Sequence, residues 1–180
     1  MCKHDTCKTL RKMKAAEAAG VAAILHYYQK YWVLGVGKEV GGSYKGQFNL
    51  CAGKGEPTDY VGGKFCWLEC VKREFFEEFK LNAPFQNGIF DSIFRGSNGK
   101  IRFFMQGRTP IFIAVLSGIS RKTITAQMKH DLANSPVAAL REMSEFEWIR
   151  LDNGAQVEGK NIPVSTFAES VRKRVNVAKL

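Results

Sequence analysis

One segment limits the possible folds more than any other. Within FCWLECVKREFFEEFKL, Phe65, Leu68, Val71, Phe75 and Phe79 recur at spacings of three and four residues. That period lays an apolar stripe along a helix, and a stripe of this kind must be buried against a second layer. Asn82, Pro84 and the Asn87-Gly88 pair then stop the helix. Its polar edge is acidic. Glu74, Glu77 and Glu78 fall within one turn, so their Cβ atoms lie roughly 5–6 Å apart.

The layer that receives the stripe is expected to be a sheet. VAAILHYY and YWVLGVG are β-prone runs separated by Gln29 and Lys30, which reads as a hairpin. QFNLCAG is a short strand ending in glycine. GIFDSIF, KIRFFMQ and TPIFIAVLSG read as three more strands, the first two joined by a turn at Ser97-Asn98-Gly99. SRKTITAQMKHDLA is polar and carries no clear element. A last strand is expected over roughly 146–151, and a terminal amphipathic helix over about 164–177, with Val164, Phe167, Val171 and Val175 on one face. The order strands, helix, strands, helix predicts an α+β fold with helices covering a central mixed sheet. Residues 1–17 read as a basic N-terminal arm, flexible or forming a short leading helix. Residues 18–180 read as one domain, a size that suits a single core.

The formal net charge of +10 favours anionic partners, such as phosphorylated metabolites, nucleic acid or an acidic surface. No apolar run reaches the roughly 18 residues that cross a bilayer. The N-terminus has no apolar stretch with a cleavage site behind it, so neither a membrane span nor a secretory signal is expected. Five cysteines without framework spacing read as reduced thiols in a cytosol-like, cytoplasmic setting. Cys2, His4 and Cys7 are metal-capable, but their polar terminal context reads as a frayed tail.

Three carboxylates on one helical edge repel one another, and a cation is needed to offset that repulsion. Hard divalent ions take carboxylate oxygens, and Mg²⁺ in particular suits sites that bridge to phosphates. Arg73 can pair with Glu77 or Glu69 and fix the acids in place. A solvated face of ion pairs would look the same on this segment alone. The preceding strand adds to the first reading: Gly53 lets backbone approach a metal or phosphate closely. Glu56 follows it as a fourth acid.

Together these segments resemble the Nudix hydrolase superfamily, the MutT-like pyrophosphohydrolases. The family's box is a glycine, five residues, Glu, seven residues, then Arg-Glu-apolar-any-Glu-Glu-any-Gly-apolar. Gly53 opens the match, and Arg73-Glu74-Phe75-Phe76-Glu77-Glu78-Phe79-Lys80-Leu81 closes it. AGKGEP is similar to the family's GGKxEP opening, and FEWIRLD to its usual last strand. The chain departs from the box in three places. The gap between Gly53 and Arg73 is about six residues longer, so the stretch around TDYVGG is an insertion. The early Glu is absent: counting forward from Gly53 gives Asp59, and counting back from Arg73 gives Phe65. Lys80 stands where the closing glycine is expected.

The resemblance implies an α/β/α sandwich and hydrolysis of the pyrophosphate linkage of a nucleoside diphosphate derivative with Mg²⁺ or Mn²⁺. Glu74, Glu77 and Glu78 would be metal ligands, joined by the Gly53 carbonyl and by Glu56. Arg73 would orient Glu74, and Lys54 would touch a phosphate. Glu142 suits the family's loop general base, with Glu145 competing. Tyr27, Tyr31, Trp32, Phe48 and Phe104 are candidates to stack on a base, of which Tyr31 and Phe48 are taken as substrate-binding; core packing is the alternative for each. Lys38, Lys45, Arg95, Lys100 and Arg102 could form a basic rim. Phosphorylated small molecules, capped RNA and diphosphoinositol polyphosphates remain open as substrates. A homodimer and a silent Nudix-fold binding module also remain open.

Overall fold

In β1 (Ala18–Tyr27) and β2 (Tyr31–Glu39) consecutive side chains enter two different cores. Ala19, Val21, Ala23 and Leu25 point to one, while Ala22 and Ile24 point to the other. A strand buried on both faces reads as a continuous apolar run, which is why VAAIL shows no alternation. The computed structural model describes residues 4–27, 30–79, 93–116, 126, 143–155 and 161–176.

β1 organises the sheet. Its distal half pairs antiparallel with β2 as the expected hairpin, with Tyr27 opposite Tyr31. Its proximal half pairs antiparallel with β4 (Cys51–Lys54), with Ala19 opposite Gly53. Its other edge pairs in parallel with β8 (Thr109–Val115), which also carries β7 (Phe103–Gln106). β2 holds β3 (Phe48–Asn49) and β9 (Met143–Arg150), both antiparallel. The result is a mixed, seven-stranded sheet with a helical layer on each face.

On one face lie α1 (Asp5–Lys12) and α2 (Trp67–Phe79), through Cys7, Leu10, Leu68, Val71 and Phe75. On the other lies α3 (Thr166–Arg174), through Ala168 and Val171, with Ser165 capping its first turn by accepting from the Ala168 N–H at 3.0 Å. The leading basic segment is therefore a helix with two fully buried side chains. Cys7 meets Cys66 with their sulfur atoms 3.8 Å apart. Among the described residues no helix is long and apolar enough to cross a membrane.

Several expected boundaries shift. QFNLCAG is two strands, not one: the chain leaves β2 after Asn49 and joins β1 from Cys51. Phe65 is not on the helix. It ends the small hairpin β5 (Tyr60–Val61) and β6 (Lys64–Phe65), whose turn uses positive φ at Gly62 and Gly63. The TDYVGG insertion is that hairpin together with one helical turn before it. Ile93 and Phe94 are helical rather than extended, and a single bridge from Arg95 to Ile101 frames the Ser97-Asn98-Gly99 turn. The stretches 80–92 and 127–142, with the start of GIFDSIF and most of SRKTITAQMKHDLA, lie outside the described residues. Val164 bridges to Phe48 instead of opening α3.

Candidate active site

The pairing of Gly53 with Ala19 places the end of β4 beneath α2. Glu74 and Glu78 project from α2 onto this strand and are buried, at 3% and 4% exposure. A Cβ built on Gly53 would overlap the Glu74 carboxylate, so glycine at this position is what lets the acid lie against the strand. Glu78 accepts the Ala52 N–H at 2.8 Å. These two acids are therefore seated by backbone as well as by their helix.

Arg73 is the hub. Its guanidinium ion-pairs with Glu74 and Glu77 at 2.8 Å, Asp59 at 3.0 Å and Glu56 at 3.4 Å, and it donates to the Lys54 carbonyl at 2.8 Å. Burial pulls this guanidinium down. The hydrogen bond to Asp59 and the charge of Glu74 outweigh burial, so the group is held more firmly protonated than an ordinary arginine. Four carboxylates around one guanidinium leave the cluster net negative, and Glu78 adds to the excess. Burial, reinforced by the neighbouring acids, pushes the thiols of Cys51 and Cys70 up. Both remain protonated at neutral pH and cannot serve as nucleophiles.

Asp59 is the residue that sequence reasoning passed over. It is buried to 1% exposure and grips Arg73 through both oxygens, from Nε at 3.2 Å and Nη2 at 3.0 Å. It also accepts the Glu56 N–H at 2.8 Å, and its own N–H returns to the Glu56 carbonyl at 2.9 Å. Its sixth place after Gly53 was visible. Its contact with Arg73, fourteen residues on, was hidden by the intervening hairpin.

The structure thus brings Gly53, Lys54, Glu56, Arg73, Glu74, Glu77 and Glu78 to one end of the sheet. Among the described residues no three His, Cys, Asp or Glu side chains converge on a point that could hold a metal ion. Glu77 is turned to Arg73, and Glu78 to the β4 backbone. The donor set still fits a hard divalent ion. It is all oxygen, net negative, and mounted beside a glycine backbone. Glu77 is 46% exposed.

The predicted base-stacking residues lie elsewhere. Phe48 is 3% exposed and packed in the core under α3, so the packing alternative holds for it. Tyr31 stands opposite Tyr27, eight residues along β1 from the partner of Gly53, a separation of about 26 Å at ~3.3 Å per residue. There it stacks under Arg150, with the guanidinium carbon 4.4 Å from the ring centroid. Trp32 stacks on His26, and Phe104 lies under Arg174. Lys38 pairs with Glu145 at 2.8 Å, Arg102 donates to the Ile93 carbonyl, and Arg95 and Lys100 line one cavity together with His4, Asp5 and Phe103. Glu142 and the side chain of Tyr27 lie outside the described residues.

No protein-family model and no curated protein sequence matches the chain. Its structure is similar to that of RenU, a Nudix hydrolase from M. Smegmatis, with a TM-score of 0.50 and 12% identity over 89% of this chain and 83% of that one. It is also similar to the NUDIX domain of Shewanella oneidensis NrtR, solved with ADP ribose, at TM-score 0.47 and 14% identity over 89% and 87% of the two chains. A MutT/nudix family protein from Enterococcus faecalis gives 0.46 and 10%, over 94% and 67%. The chain has the Nudix fold.

Proposed function

We propose that this chain is a metal-dependent pyrophosphohydrolase acting on a nucleoside diphosphate derivative or a related polyanionic diphosphate. The observation that carries the reading is the seat of Glu74. It is a buried carboxylate lying against Gly53, within a cluster whose acids outnumber its one guanidinium. Buried negative charge in excess calls for a bound cation. Glu74, Glu77 and Glu78, with the Gly53 carbonyl and with Glu56 nearby, would hold Mg²⁺ or Mn²⁺. When bound, such ions neutralise charge on the attacking and leaving oxygens of an in-line displacement. Arg73 fixes Glu74 and Glu77 by ion pairs, and Asp59 fixes Arg73. Lys54, exposed at the end of β4, would meet a phosphate oxygen.

The test is a panel of nucleoside triphosphates, dinucleoside polyphosphates, ADP-ribose, capped RNA and diphosphoinositol phosphates with Mg²⁺ or Mn²⁺. At least one should be cleaved, and Glu78→Gln should lower the rate by two or more orders of magnitude. A silent panel, with no divalent-ion binding by calorimetry, would leave a Nudix-fold binding module.

A further inference from the structure

We propose that Cys7 and Cys66 form a reversible disulfide site, closed by a small-molecule disulfide of the glutathione class, which locks α1 onto the start of α2. The proposal does not depend on the hydrolase reading. The two residues stand 59 positions apart in the chain, and the fold brings their sulfur atoms to 3.8 Å. A disulfide holds its sulfur atoms at about 2.05 Å, so each has only about 0.9 Å to travel from that contact. Both side chains are buried, at 0% and 1% exposure. No segment has to be drawn across the molecule to make the bond.

The backbone on both sides of the contact is already fixed. Arg11, one turn after Cys7 on α1, donates to the carbonyl of Phe65, the residue before Cys66, at 3.0 Å. The indole of Trp67, the residue after Cys66, donates to the Ala16 carbonyl at 2.8 Å. Cys66 donates its N–H to the Asp59 carbonyl at 2.9 Å, and its carbonyl accepts from Glu69 at 3.1 Å and Cys70 at 3.2 Å as α2 begins. Sulfur atoms held between such pins meet at high effective concentration. That favours the intramolecular bond over a lasting mixed disulfide with a small thiol. Cys51 and Cys70 are different. Burial and the neighbouring acids push their thiols up, and the thiolate is the attacking species in exchange.

Closure needs an entry point, and α1 supplies it. This helix is eight residues long and is anchored by Cys7 and Leu10. A short outer helix opens locally at lower cost than the sheet beneath it. In the opened state Cys7 gives its proton to water, and its thiolate attacks one sulfur of glutathione disulfide. That S–S bond breaks and a glutathione thiolate leaves. As α1 returns, the Cys66 thiolate attacks the Cys7 sulfur and expels the second glutathione thiolate. The two cysteines have lost two electrons and two protons, and the oxidant has become two molecules of reduced glutathione. Excess reduced glutathione runs the sequence backward. Oxidation thus gives the first helix a covalent hold on the residue that starts the acid-bearing helix.

The test places the full native chain, initially reduced, in glutathione buffers of rising oxidised share. Remaining thiols are then blocked with N-ethylmaleimide and the protein is digested with trypsin. The expected product joins the peptide 4–8 to the peptide 65–72. The second peptide also carries Cys70, so two variants assign the bond: Cys70→Ala should keep it and Cys66→Ala should abolish it. The oxidised chain should melt roughly 5–10 °C above the reduced one. Cys7→Ser should show no such rise, and excess reduced glutathione should return the parent to its lower Tm. Should Cys66→Ala fail to fold, the parent's peptide map and Cys7→Ser still decide. A link that survives Cys66→Ala, a link from Cys2 in place of Cys7, or glutathione left on Cys7 with no crosslink overturns the site. An oxidised form that melts no higher overturns the lock, and a bond that excess reduced glutathione leaves intact overturns its reversibility.

Discussion

Asp59→Asn isolates the part of the site that sequence alone did not show. The substitution keeps shape and removes charge. The side chain is 1% exposed and accepts three hydrogen bonds, two from Arg73 and one from the Glu56 N–H. An amide in its place has one acceptor oxygen, and its NH₂ group must face a donor whichever way it is turned. Hydrogen bonds to charged groups contribute about 1.5–3 kcal/mol each. Arg73 keeps Glu74, Glu77 and Glu56, and removing one of four crowded acids relieves some repulsion. The net loss is then about 2 kcal/mol, which for a chain of this size lowers Tm by roughly 4–8 °C. Urea unfolding of Asp59→Asn, Arg73→Gln and the double variant gives the coupling directly. It should lie at ~1–3 kcal/mol, as for residues that share one network. Under the proposed function, turnover should fall with it, because Arg73 ion-pairs with Glu74. A stability change under about 0.5 kcal/mol, or a coupling near zero, would refute the hub reading.

Gly53→Ala puts a methyl group into the space of the Glu74 carboxylate, so divalent-ion affinity by calorimetry should fall at least tenfold; unchanged affinity would detach Glu74 from the metal. Leu10→Ala should cost about 2–5 kcal/mol in urea unfolding, since Leu10 is fully buried under the sheet; a loss below ~0.5 kcal/mol would make α1 a loose arm after all. The Arg172 guanidinium holds the Glu169 carboxyl below the usual carboxylate range, so this pair stabilises above pH ~4.5 and is lost as pH falls through the depressed folded value. Glu169→Gln should therefore narrow the gap in stability between pH 7 and pH 3, and an unchanged acid limb would count against the pair.

What the sequence disclosed, and what it withheld, follows from the range of each interaction. The stripe Leu68, Val71 and Phe75 was legible because helical spacing is local, and all three are buried as that spacing requires. Phe65 continues the same spacing, yet the Gly62-Gly63 turn assigns it to a hairpin, because a positive-φ turn overrides periodicity at a helix start. The split of QFNLCAG could not be read, since residues that exchange one strand partner for another keep the same apolar character. The acids of α2 were legible as a cluster, while Asp59, the buried partner of Arg73, was not, because only folding closes the loop that carries it. Aromatic side chains announce stacking chemistry without saying where on the sheet they stand. Register alone decides that, and it puts Tyr31 at the hairpin end of β1 and Gly53 at the other. The segment that folds onto that end is 11–17, part of the stretch that reads in sequence as a flexible arm or a short leading helix, and Cys7 and Leu10 anchor the helix before it.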